Sequence, residues 1–573
     1  MRYKTLHPHR LSDIRELAVR ASRLFADKTA FREIDSNHHI VDYTYSQLEQ
    51  DRLALGTKLL DLGMDGYHIA ILSENSYAWV LSYLAVICGV GVVVPLDKEL
   101  LKDDIAMLLN KSDADAIICS ETYLHLVNDI LSRCPNIKSV IVMNPSGPYH
   151  ASYDLHTLIE KGRKLLHLGN SAYPDKAIDP EAMCEILFTS GTTGPNKGVM
   201  LSHKNFIADL YGFMHYIKVT TVSFSVLPMH HSFESTCHIL GILYTGNMLC
   251  FNDSLKHLMK NIAVFKPGMS LMVPLFLEVM HKQIWQEAKK GNLEKQLIYG
   301  IKFSNLLRKF GIDKRQLFFK PILEKFGGNL QQIVCGGAPL RNELIKKFDE
   351  IGINIINGYG ITECAPVIST NASAWKKKGT VGRILPGCEV RIAEPDRSGN
   401  GEIQIAGDIV MLGYYKDEEN TKEVFTQDGY FKTGDLGHLD RASFLYITGR
   451  KKNLIILPNG KNVSPEEIEA AVSAIPYIKE VMVYAKKSES SEIIAADVFL
   501  DSQYLSVNPI ENIELKLDQD IRRLNNSLPV HKRISDVTIM EREFEKTTTK
   551  KIKRQVEIKR RMYNDELCVQ KNS

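Results

Sequence analysis

The chain has 573 residues, of which 44% are hydrophobic and 24% charged, as in ordinary globular proteins. This length exceeds what one hydrophobic core organises, so we expect several domain-sized units. A net charge of +3 creates no global field that would favour nucleic acid. Ten scattered cysteines without a C-x-x-C pair argue against a disulfide framework or a zinc site and favour the cytoplasm. The first ten residues lack the apolar segment of a signal peptide.

The first 150 residues alternate strand patterns with helical patterns. Segment 79–96 is apolar enough to mimic a membrane span, but Gly89, Gly91 and Pro95 interrupt it. We interpret it as a buried helix, a tight turn and a buried strand. The predicted strands are 29–31, 43–45, 68–72, 90–94, 116–119 and 140–143, and the predicted helices are 46–62, 78–88 and 100–109.

The same alternation returns between residues 203 and 360, which predicts a second doubly wound, mostly parallel layer. The charged stretch 283–315 is predicted to be helical and to lie on the surface. After about residue 380, alternating polar and apolar residues predict an antiparallel sheet or a small barrel. The further predicted strands are 222–227, 248–251, 270–273, 333–335, 387–392, 401–405, 444–447, 480–484 and 495–500, and the further helices begin at 204, 237, 465 and 514.

Residues 189–198 consist only of Gly, Ser, Thr, Pro, Asn and Lys, which predicts a loop after the apolar run 185–188. Hydroxyl groups, open backbone N–H groups and one lysine suit a polyphosphate. The spacing is not that of the nucleotide P-loop, because Asn196 stands where the second glycine belongs and Lys197 is followed by Gly198. From composition alone, a flexible surface loop is an equal alternative.

Five more polar stretches follow apolar runs and could converge at one edge of the sheets, where ligands bind in α/β proteins. Each alone is more often a turn, a cap or a packed aromatic residue. They are 336–339, 357–363, 430–436, 449–463 and 544–554.

Taken together and in this order, these motifs resemble the adenylate-forming superfamily of acyl-CoA synthetases, nonribosomal peptide synthetase adenylation domains and beetle luciferases. The resemblance runs from about residue 10 to Arg554. It implies that a carboxylate attacks the α-phosphorus of ATP, giving acyl-AMP and pyrophosphate, and that the thiol of coenzyme A then displaces AMP. The expected fold class is α/β, with a large N-terminal domain (1–449) of two doubly wound α/β layers plus a small β-barrel-like part. A small mobile α+β C-terminal domain (450–573) follows, with a hinge near 450–452.

The resemblance also implies roles for individual residues. The β- and γ-phosphates would be held by the first glycine-rich stretch, through Thr189, Ser190, Gly191, Thr192, Thr193 and Lys197. The adenine would be bordered by Gly336, Gly337, Ala338 and Pro339 and by Asn357, Gly358, Tyr359 and Gly360, with Tyr359 stacked on the base. Thr362 would bond the α-phosphate, and Glu363 would hold Mg²⁺. Asp435 would accept both ribose hydroxyls beside Arg450.

The catalytic lysine of the resemblance is expected at Lys551, which stabilises charge in the first step. The family usually has glycine before this lysine and this chain has Lys550, but Ile552 and Arg554 fit the register with Lys551. Lys452 matches the hinge between two domain orientations. Gly460 and Lys461 match the turn that enters the site for thioester formation.

The stretch 227–234 resembles the acyl-site motif of the family, with His231 expected at the site and His230 structural. Amino-acid-activating members usually have an aspartate after the phenylalanine, whereas Glu234 here is more similar to medium- and long-chain fatty acyl-CoA synthetases. We expect Glu234 to pair with a protein cation. The apolar lining predicted for an alkyl chain includes Phe233, Leu271, Met272, Val273 and Ile361.

Two alternatives stay open: an acyl-AMP ligase that loads a carrier-protein phosphopantetheine, and a non-catalytic binder of nucleotide or acyl chain. The expected partners are a small carboxylic acid, ATP and coenzyme A, with no nucleic acid and no transmembrane span. Peripheral membrane contact and the oligomeric state are left open by the sequence. The basic tail 546–561 could be a solvated tail or a weak patch for anionic membranes.

Overall fold

A computed structural model of the chain describes residues 6–147, 150–189, 196–457, 462–487, 492–546 and 552–561. Within those ranges, no helix is both long enough and apolar enough to cross a membrane.

The strands are numbered in chain order. They are β1 Thr29–Ile34, β2 Ile40–Thr44, β3 His68–Leu72, β4 Val92–Pro95, β5 Ala116–Ser120, β6 Ser139–Met143, β7 Tyr153–Asp154, β8 Met183–Thr189, β9 Lys197–Ser202, β10 Val222–Ser225, β11 Met248–Phe251, β12 Met269–Met272, β13 Gln332–Cys335, β14 Asn354–Gly360, β15 Val367–Thr370, β16 Arg383–Ile384, β17 Cys388–Ala393, β18 Gly401–Gly407, β19 Gly413–Tyr414, β20 Phe431–Leu439, β21 Leu445–Arg450, β22 Ile455–Ile456, β23 Asn462–Val463, β24 Ile478–Lys487, β25 Glu492–Leu500 and β26 Asp536–Met540.

The α-helices are numbered in the same way. They are α1 Ile14–Phe25, α2 Tyr45–Asp61, α3 Tyr77–Ala85, α4 Lys102–Lys111, α5 Glu121–Ile130, α6 Leu155–His167, α7 His203–Met214, α8 Ser232–Glu234, α9 Gly241–Thr245, α10 Leu258–Phe265, α11 Pro274–Lys290, α12 Glu294–Lys309, α13 Arg315–Phe318, α14 Lys320–Lys325, α15 Asn342–Glu350, α16 Glu418–Val424, α17 Pro465–Val472, α18 Ser502–Val507 and α19 Ile513–Ser527.

Two large sheets form the N-terminal part of the fold. One has eight strands in the order β19-β9-β8-β4-β3-β5-β6-β7, and the other has nine in the order β16-β15-β14-β13-β12-β10-β11-β1-β2. The inner strands are parallel and largely buried, because helices cover both faces of such sheets. The prediction of two successive doubly wound α/β layers is confirmed.

The apolar segment 79–96 is a buried helix and a buried strand, as predicted. Helix α3 ends in a single π-helical turn, Val86–Val90, and β4 follows at once. Gly89 sits in this turn at φ 141°, a conformation that favours glycine. A Cβ on Gly91 would lie 2.1 Å from the carbonyl oxygen of Tyr67, so only glycine allows this close approach.

The C-terminal part contains two smaller sheets of interest here. A four-stranded sheet has the order β17-β18-β20-β21, and a three-stranded sheet has the order β24-β25-β26. Helices α17 and α19 cover the three-stranded sheet with a core that includes Ile468, Leu517 and Ile521. By backbone contacts, the chain divides into one compact unit of residues 6–189, 196–389 and 405–431 and a second that contains 390–404 and 432 onward. The predicted boundary near 450–452 stays a prediction.

Several stretches predicted as loops are parts of strands instead. Lys197 and Gly198 begin β9, residues 357–360 end β14, and residues 431–435 and 449–450 belong to β20 and β21. The sequence pattern is misleading here because backbone N–H and C=O groups form the ladder, so polar and glycine residues can extend a strand.

Candidate active site

Strands β8 and β9 hold the two described ends of the glycine-rich stretch next to each other. They pair antiparallel with Thr189 opposite Lys197, and Thr189 Oγ1 lies 3.5 Å from the carbonyl oxygen of Lys197. The Lys197 ammonium donates to Asn420 Oδ1 at 2.6 Å and lies 4.8 Å from the centroid of the Tyr414 ring. The intervening predicted residues Ser190, Gly191, Thr192 and Thr193 lie outside the described residues.

Glu363 lies in a 3₁₀ turn, Thr362–Cys364, directly after β14. The Tyr414 hydroxyl donates to Glu363 Oε1 at 3.0 Å, and the backbone N–H of Met411 donates to the Glu363 carbonyl at 2.9 Å. Burial and the nearby Glu363 carboxylate raise the pKa of Tyr414 above its usual range. Tyr414 therefore stays protonated and acts as a hydrogen-bond donor. The Glu363 carboxylate lies at its hydroxyl group, and the Lys197 ammonium lies over its ring.

The segment after this turn is fixed by backbone hydrogen bonds. Ile361 N–H donates to the Pro366 carbonyl at 2.9 Å, and Val367 N–H donates to Asp209 Oδ1 at 2.8 Å. Asp209 is fully buried, and burial raises its pKa well above the ordinary range. A Cβ on Gly360 would lie 1.9 Å from the Pro366 carbonyl oxygen. Glycine is thus required where β14 and β15 meet beside Thr362.

Three predicted stretches lie close together at the ends of β13 and β14. They are 336–339, 357–360 and the acyl-site stretch 227–234, through Phe233. Strands β13 and β14 are parallel with Cys335 opposite Asn357, so residues 336–339 and 357–360 begin side by side. A Cβ on Gly336 would lie 3.5 Å from the Phe233 ring and 3.9 Å from the Gly358 carbonyl oxygen. Gly337 has φ 79°, and Tyr359 is half-buried at the end of β14.

The two adjacent histidines of the acyl motif differ in burial. His230 is 8% exposed, with Nε2 3.6 Å from Asp97 Oδ1, and burial holds its pKa well below the ordinary value. His231 is half-buried immediately before α8, and the two rings lie 4.3 Å apart between centroids. His230 is therefore a packed neutral residue, as expected, while His231 is the more accessible one.

Glu234 belongs to a buried group of three hydrogen-bonded side chains that was not predicted from the sequence. Its Oε1 lies 2.9 Å from His238 Nδ1, and His238 Nε2 lies 2.5 Å from Ser223 Oγ. All three side chains have at most 2% of their surface exposed. Their order resembles a Ser-His-acid triad, but such burial leaves no access for a substrate carbonyl. These hydrogen bonds instead join β10 to the short helices after His231. The expected pairing of Glu234 with a protein cation stays a prediction.

In the second compact unit, Asp435 and Arg450 lie opposite each other on β20 and β21. Arg450 Nε is 2.8 Å from Asp435 Oδ1, and Asp435 is 3% exposed. Lys452 lies in a 3₁₀ turn, Lys451–Asn453, directly after β21. The predicted residues Gly460, Lys461 and Lys551 lie outside the described residues.

Most described cations of the basic tail are paired with carboxylates. Lys546 contacts Glu480 and Glu543, Lys553 contacts Glu545, Arg554 contacts Glu469, Arg560 contacts Glu545, and Arg561 contacts Asp497. The charges of these residues are therefore largely balanced within the fold.

Four residues that form hydrogen bonds with the predicted segments were not themselves predicted from the sequence: Tyr414, Asn420, Asp209 and His238. Tyr414 is 51 residues from Glu363, and Asn420 is 223 residues from Lys197. No spacing rule connects such distant positions. For His238, its place four residues after Glu234 on a helical segment was a usable signal.

Comparison with protein families decides the assignment. Residues 18–415 match the family described as AMP-binding enzyme, and residues 452–567 match the AMP-binding enzyme C-terminal domain. The chain belongs to the AMP-binding enzyme family. It is thus an AMP-forming ligase.

Several curated relatives of this ligase are similar over most of its length. The peroxisomal long chain acyl-CoA synthetase 7 of Arabidopsis thaliana is 30% identical, covering 79% of this chain and 68% of that protein. The long-chain-fatty-acid–CoA ligase FadD15 of Mycobacterium bovis is 29% identical, covering 81% and 78%.

Solved structures support the fold of the ligase. The anthranilate CoA ligase AuaEII in complex with anthranoyl-AMP aligns with a TM-score of 0.77 at 19% identity, covering 97% of this chain and 99% of that one. The adenylation domain of a carboxylate reductase from Mycobacterium chelonae aligns with a TM-score of 0.78 at 20% identity, covering 98% and 91%. The expected fold class, a large α/β N-terminal domain followed by a smaller C-terminal domain, is confirmed.

Proposed function

We propose that this ligase activates a medium- or long-chain fatty acid as acyl-AMP and transfers the acyl group to coenzyme A. The observation that carries the ATP-dependent first step is the cluster of Lys197, Tyr414 and Glu363. It combines a cation and a carboxylate at fixed positions beside Thr189 and Thr362. Adding an anionic acid to a polyanionic nucleotide requires charge neutralisation and positioning above all.

The choice of a fatty acid is supported by the state of Glu234. An enzyme for amino acids needs an accessible carboxylate to pair with the substrate ammonium. Glu234 is fully buried and engaged by His238, so it is unavailable for that purpose. The neighbouring predicted lining is apolar: Leu271 and Met272 are buried on β12, and Phe233 borders Gly336. The long-chain substrates in the names of the curated relatives point in the same direction.

The proposed contacts with ATP are assigned from the charge and the hydrogen-bonding capacity of each residue. Lys197 and Thr189 would neutralise and bind the β- and γ-phosphates, and Thr362 would donate to the α-phosphate. Asp435, nearly buried and bonded by Arg450, would accept the ribose hydroxyls. Tyr359 would stack on the adenine, with 336–339 on its other side.

A magnesium ion fits this chemistry at Glu363. The described residues contain no group of three or more His, Cys, Asp or Glu side chains that could hold a metal alone. Mg²⁺, however, is commonly bound by one or two carboxylates together with substrate phosphates. The Tyr414 bond orients the Glu363 carboxylate and occupies only Oε1. When bound, Mg²⁺ would withdraw charge from the phosphate oxygens.

The C-terminal residues complete the proposal. Lys551 would stabilise the charge shared by the attacking carboxylate and the α-phosphate, and the domain from 450 onward would then turn about Lys452. Gly460 and Lys461 would enter the site for the thiol step. The nine described cysteines are all outside disulfides, which agrees with a cytoplasmic location as part of this proposal.

The test is pyrophosphate–ATP exchange with a panel of acids from acetate to palmitate and with common amino acids. We expect exchange with medium- or long-chain fatty acids, and amino acids should give none. Exchange with no acid would contradict the proposal. Supplying coenzyme A or a phosphopantetheinyl carrier protein with the active acid then identifies the acceptor, and thioester formation only on the carrier would replace coenzyme A in the proposal.

A further inference from the structure

Helix α12 differs from an ordinary surface helix, because polar side chains as well as apolar ones hold it to the protein. Arg308 forms an ion pair with Asp349 at 2.9 Å, and Asn305 donates to Glu350 at 3.2 Å. Both acidic partners belong to α15. Leu297 and Ser304 are buried on the protein-facing part of α12. The opposite side of the helix faces solvent.

That outer side carries a continuous apolar stripe. Tyr299, Phe303, Leu306 and Phe310 are spaced by four, three and four residues, which places them within about 60° of one another around the helix axis. Their exposed fractions are 67%, 54%, 50% and 74%. The Phe303 ring also packs against Phe318, which is itself 39% exposed, at 5.8 Å between centroids. Water-exposed aromatic clusters of this kind mark interaction surfaces.

A row of lysines lies along one edge of the stripe. Lys295, Lys302 and Lys309 follow at intervals of seven residues, so they line up along the helix. In the described part of the chain, none of these three lysines forms an ion pair with a carboxylate. The Lys302 ammonium lies 6.0 Å from the centroid of the Tyr299 ring. We call the stripe and the row together the α12 face.

The wider segment is strongly basic compared with the rest of the chain. Residues 274–325 contain eleven Lys and Arg against five Asp and Glu, a formal charge of +6, whereas the whole chain carries +3. The remainder is therefore net negative. The basic C-terminal tail differs, because most of its described cations are paired with carboxylates inside the fold. Of these two basic regions, the α12 face is the one with unbalanced charge.

We propose that the α12 face is a docking surface for an anionic lipid bilayer, on which α12 lies parallel to the membrane plane. Aromatic and aliphatic side chains on one face with lysines beside them are typical of helices that insert into the interface. The apolar stems of the lysines can lie along the lipid while their ammonium groups reach the headgroups. An acidic protein would match the charge, but a linear stripe of exposed Phe, Tyr and Leu fits the acyl boundary better. The inference does not depend on the identity of the acid substrate.

Sedimentation of the full chain with lipid vesicles tests this proposal. The probes are vesicles of phosphatidylcholine alone and of phosphatidylcholine mixed with phosphatidylglycerol, at low and high salt. We expect binding to the anionic vesicles that weakens with salt, because surface attraction is screened. The double substitution Phe303→Ser/Phe310→Ser should lower the partition coefficient by about tenfold or more. The double substitution Lys302→Glu/Lys309→Glu should also lower the partition coefficient at low salt.

The matched control is Leu101→Ser/Leu168→Ser, which removes two residues that are 74% and 84% exposed but lie far along the chain from α12. This control should bind vesicles like the wild type. Thermal unfolding should show that all variants fold, since the substituted residues are exposed. Absence of binding to anionic vesicles, or equal binding by the wild type and Phe303→Ser/Phe310→Ser, would overturn the proposal. Concentration-dependent dimerisation lost in that variant, without vesicle binding, would assign the face to a second copy of the chain.

Discussion

The Tyr414 hydroxyl donates a hydrogen bond to Glu363 Oε1 at 3.0 Å, and this bond joins two parts of the chain to which we assign the nucleotide chemistry. The same ring lies under the Lys197 ammonium. Tyr414 thereby fixes the carboxylate and the cation relative to each other before any ligand binds. Such preorganisation lowers the cost of arranging charges around a polyphosphate.

Replacing Tyr414 by Phe keeps the ring beneath Lys197 and removes only the donor to Glu363. A hydrogen bond to a charged group contributes about 1.5–3 kcal/mol, so acid-dependent pyrophosphate–ATP exchange should fall by about 10- to 100-fold. Tyr415→Phe is the control, because the Tyr415 hydroxyl donates to Asp113 at 2.7 Å instead. Equal activities of the two variants would show that the Glu363 bond has no part in catalysis.

The two adjacent lysines Lys550 and Lys551 give a second prediction. Lys551→Ala should lower acyl-AMP formation by about 10²–10³-fold, while thioester formation from supplied acyl-AMP should be retained. Lys550→Ala should keep most of both half-reactions. Measuring the two half-reactions separately decides the register, because a loss confined to Lys550→Ala would move the catalytic role to that residue.

Gly360 gives a prediction about stability. A Cβ there would lie 1.9 Å from the Pro366 carbonyl oxygen, so Gly360→Ala must push β14 and β15 apart. We expect a loss of about 1–3 kcal/mol or more in the free energy of unfolding. The measurement is the denaturant midpoint of each variant.

Gly300→Ala is the matched control for this substitution. In the interior of α12, an added Cβ at Gly300 would have its nearest neighbour at 3.6 Å, an ordinary contact. Alanine should therefore stabilise the helix by about 0.5–1 kcal/mol. If Gly360→Ala is as stable as Gly300→Ala, the tight crossing beside Thr362 is not a constraint.

The buried carboxyl of Glu185 predicts a specific dependence of stability on pH. Burial raises the pKa of Glu185 to about 8, against 4.5 for the exposed group, and its hydrogen-bond donor is the Tyr83 hydroxyl at 2.7 Å. Between these two values the unfolded chain has released this proton and the folded chain retains it. Rising pH therefore favours unfolding in this window, by about 1.4 kcal/mol per pH unit from this group. Below this window, Glu185 causes no loss of stability. Above the window, the loss of stability that it causes stays constant with pH.

Glu185→Gln cannot titrate, so its stability advantage over the wild type should grow as the pH rises from about 5 to about 8. Trp79 stacks on Tyr83 at 5.1 Å between centroids, which makes tryptophan fluorescence a suitable probe of urea unfolding in this core. Glu418→Gln is the control, because the Glu418 side chain is 91% exposed. If the free energies of unfolding of Glu185→Gln and the wild type change in parallel with pH, the buried Glu185 carboxyl does not retain its proton.

The sequence predicted best those strands that are apolar along their whole length. The bounds of β3 and β11 agree with the predictions because both faces of a parallel strand are buried, which leaves a short continuous apolar run. Strand β9 was missed because Lys197 and Gly198 pair through their backbone, and their side chains carry no strand signal.

Contacts between residues that are far apart along the chain could not be predicted from the sequence. The predicted roles of Glu363 and Lys197 came from a resemblance, and no residue pattern linked either of them to Tyr414. The helical stretch 283–315 was predicted to lie on the surface, and α11, α12 and α13 confirm it. Which side of α12 faces water was not predictable, because Leu297 and Phe303 are both apolar and only tertiary packing distinguishes their sides.

In the reaction that we propose, the acid attacks the α-phosphorus of ATP before the thiol displaces AMP. This order is tested most directly with palmitate labelled with oxygen-18 in its carboxylate, incubated with ATP, Mg²⁺, coenzyme A and the enzyme. Because the bridging oxygen of acyl-AMP comes from the acid and leaves with AMP, we expect one labelled oxygen in the AMP by mass spectrometry. Unlabelled AMP alongside palmitoyl-CoA, or label in inorganic phosphate with ADP as the nucleotide product, would contradict it.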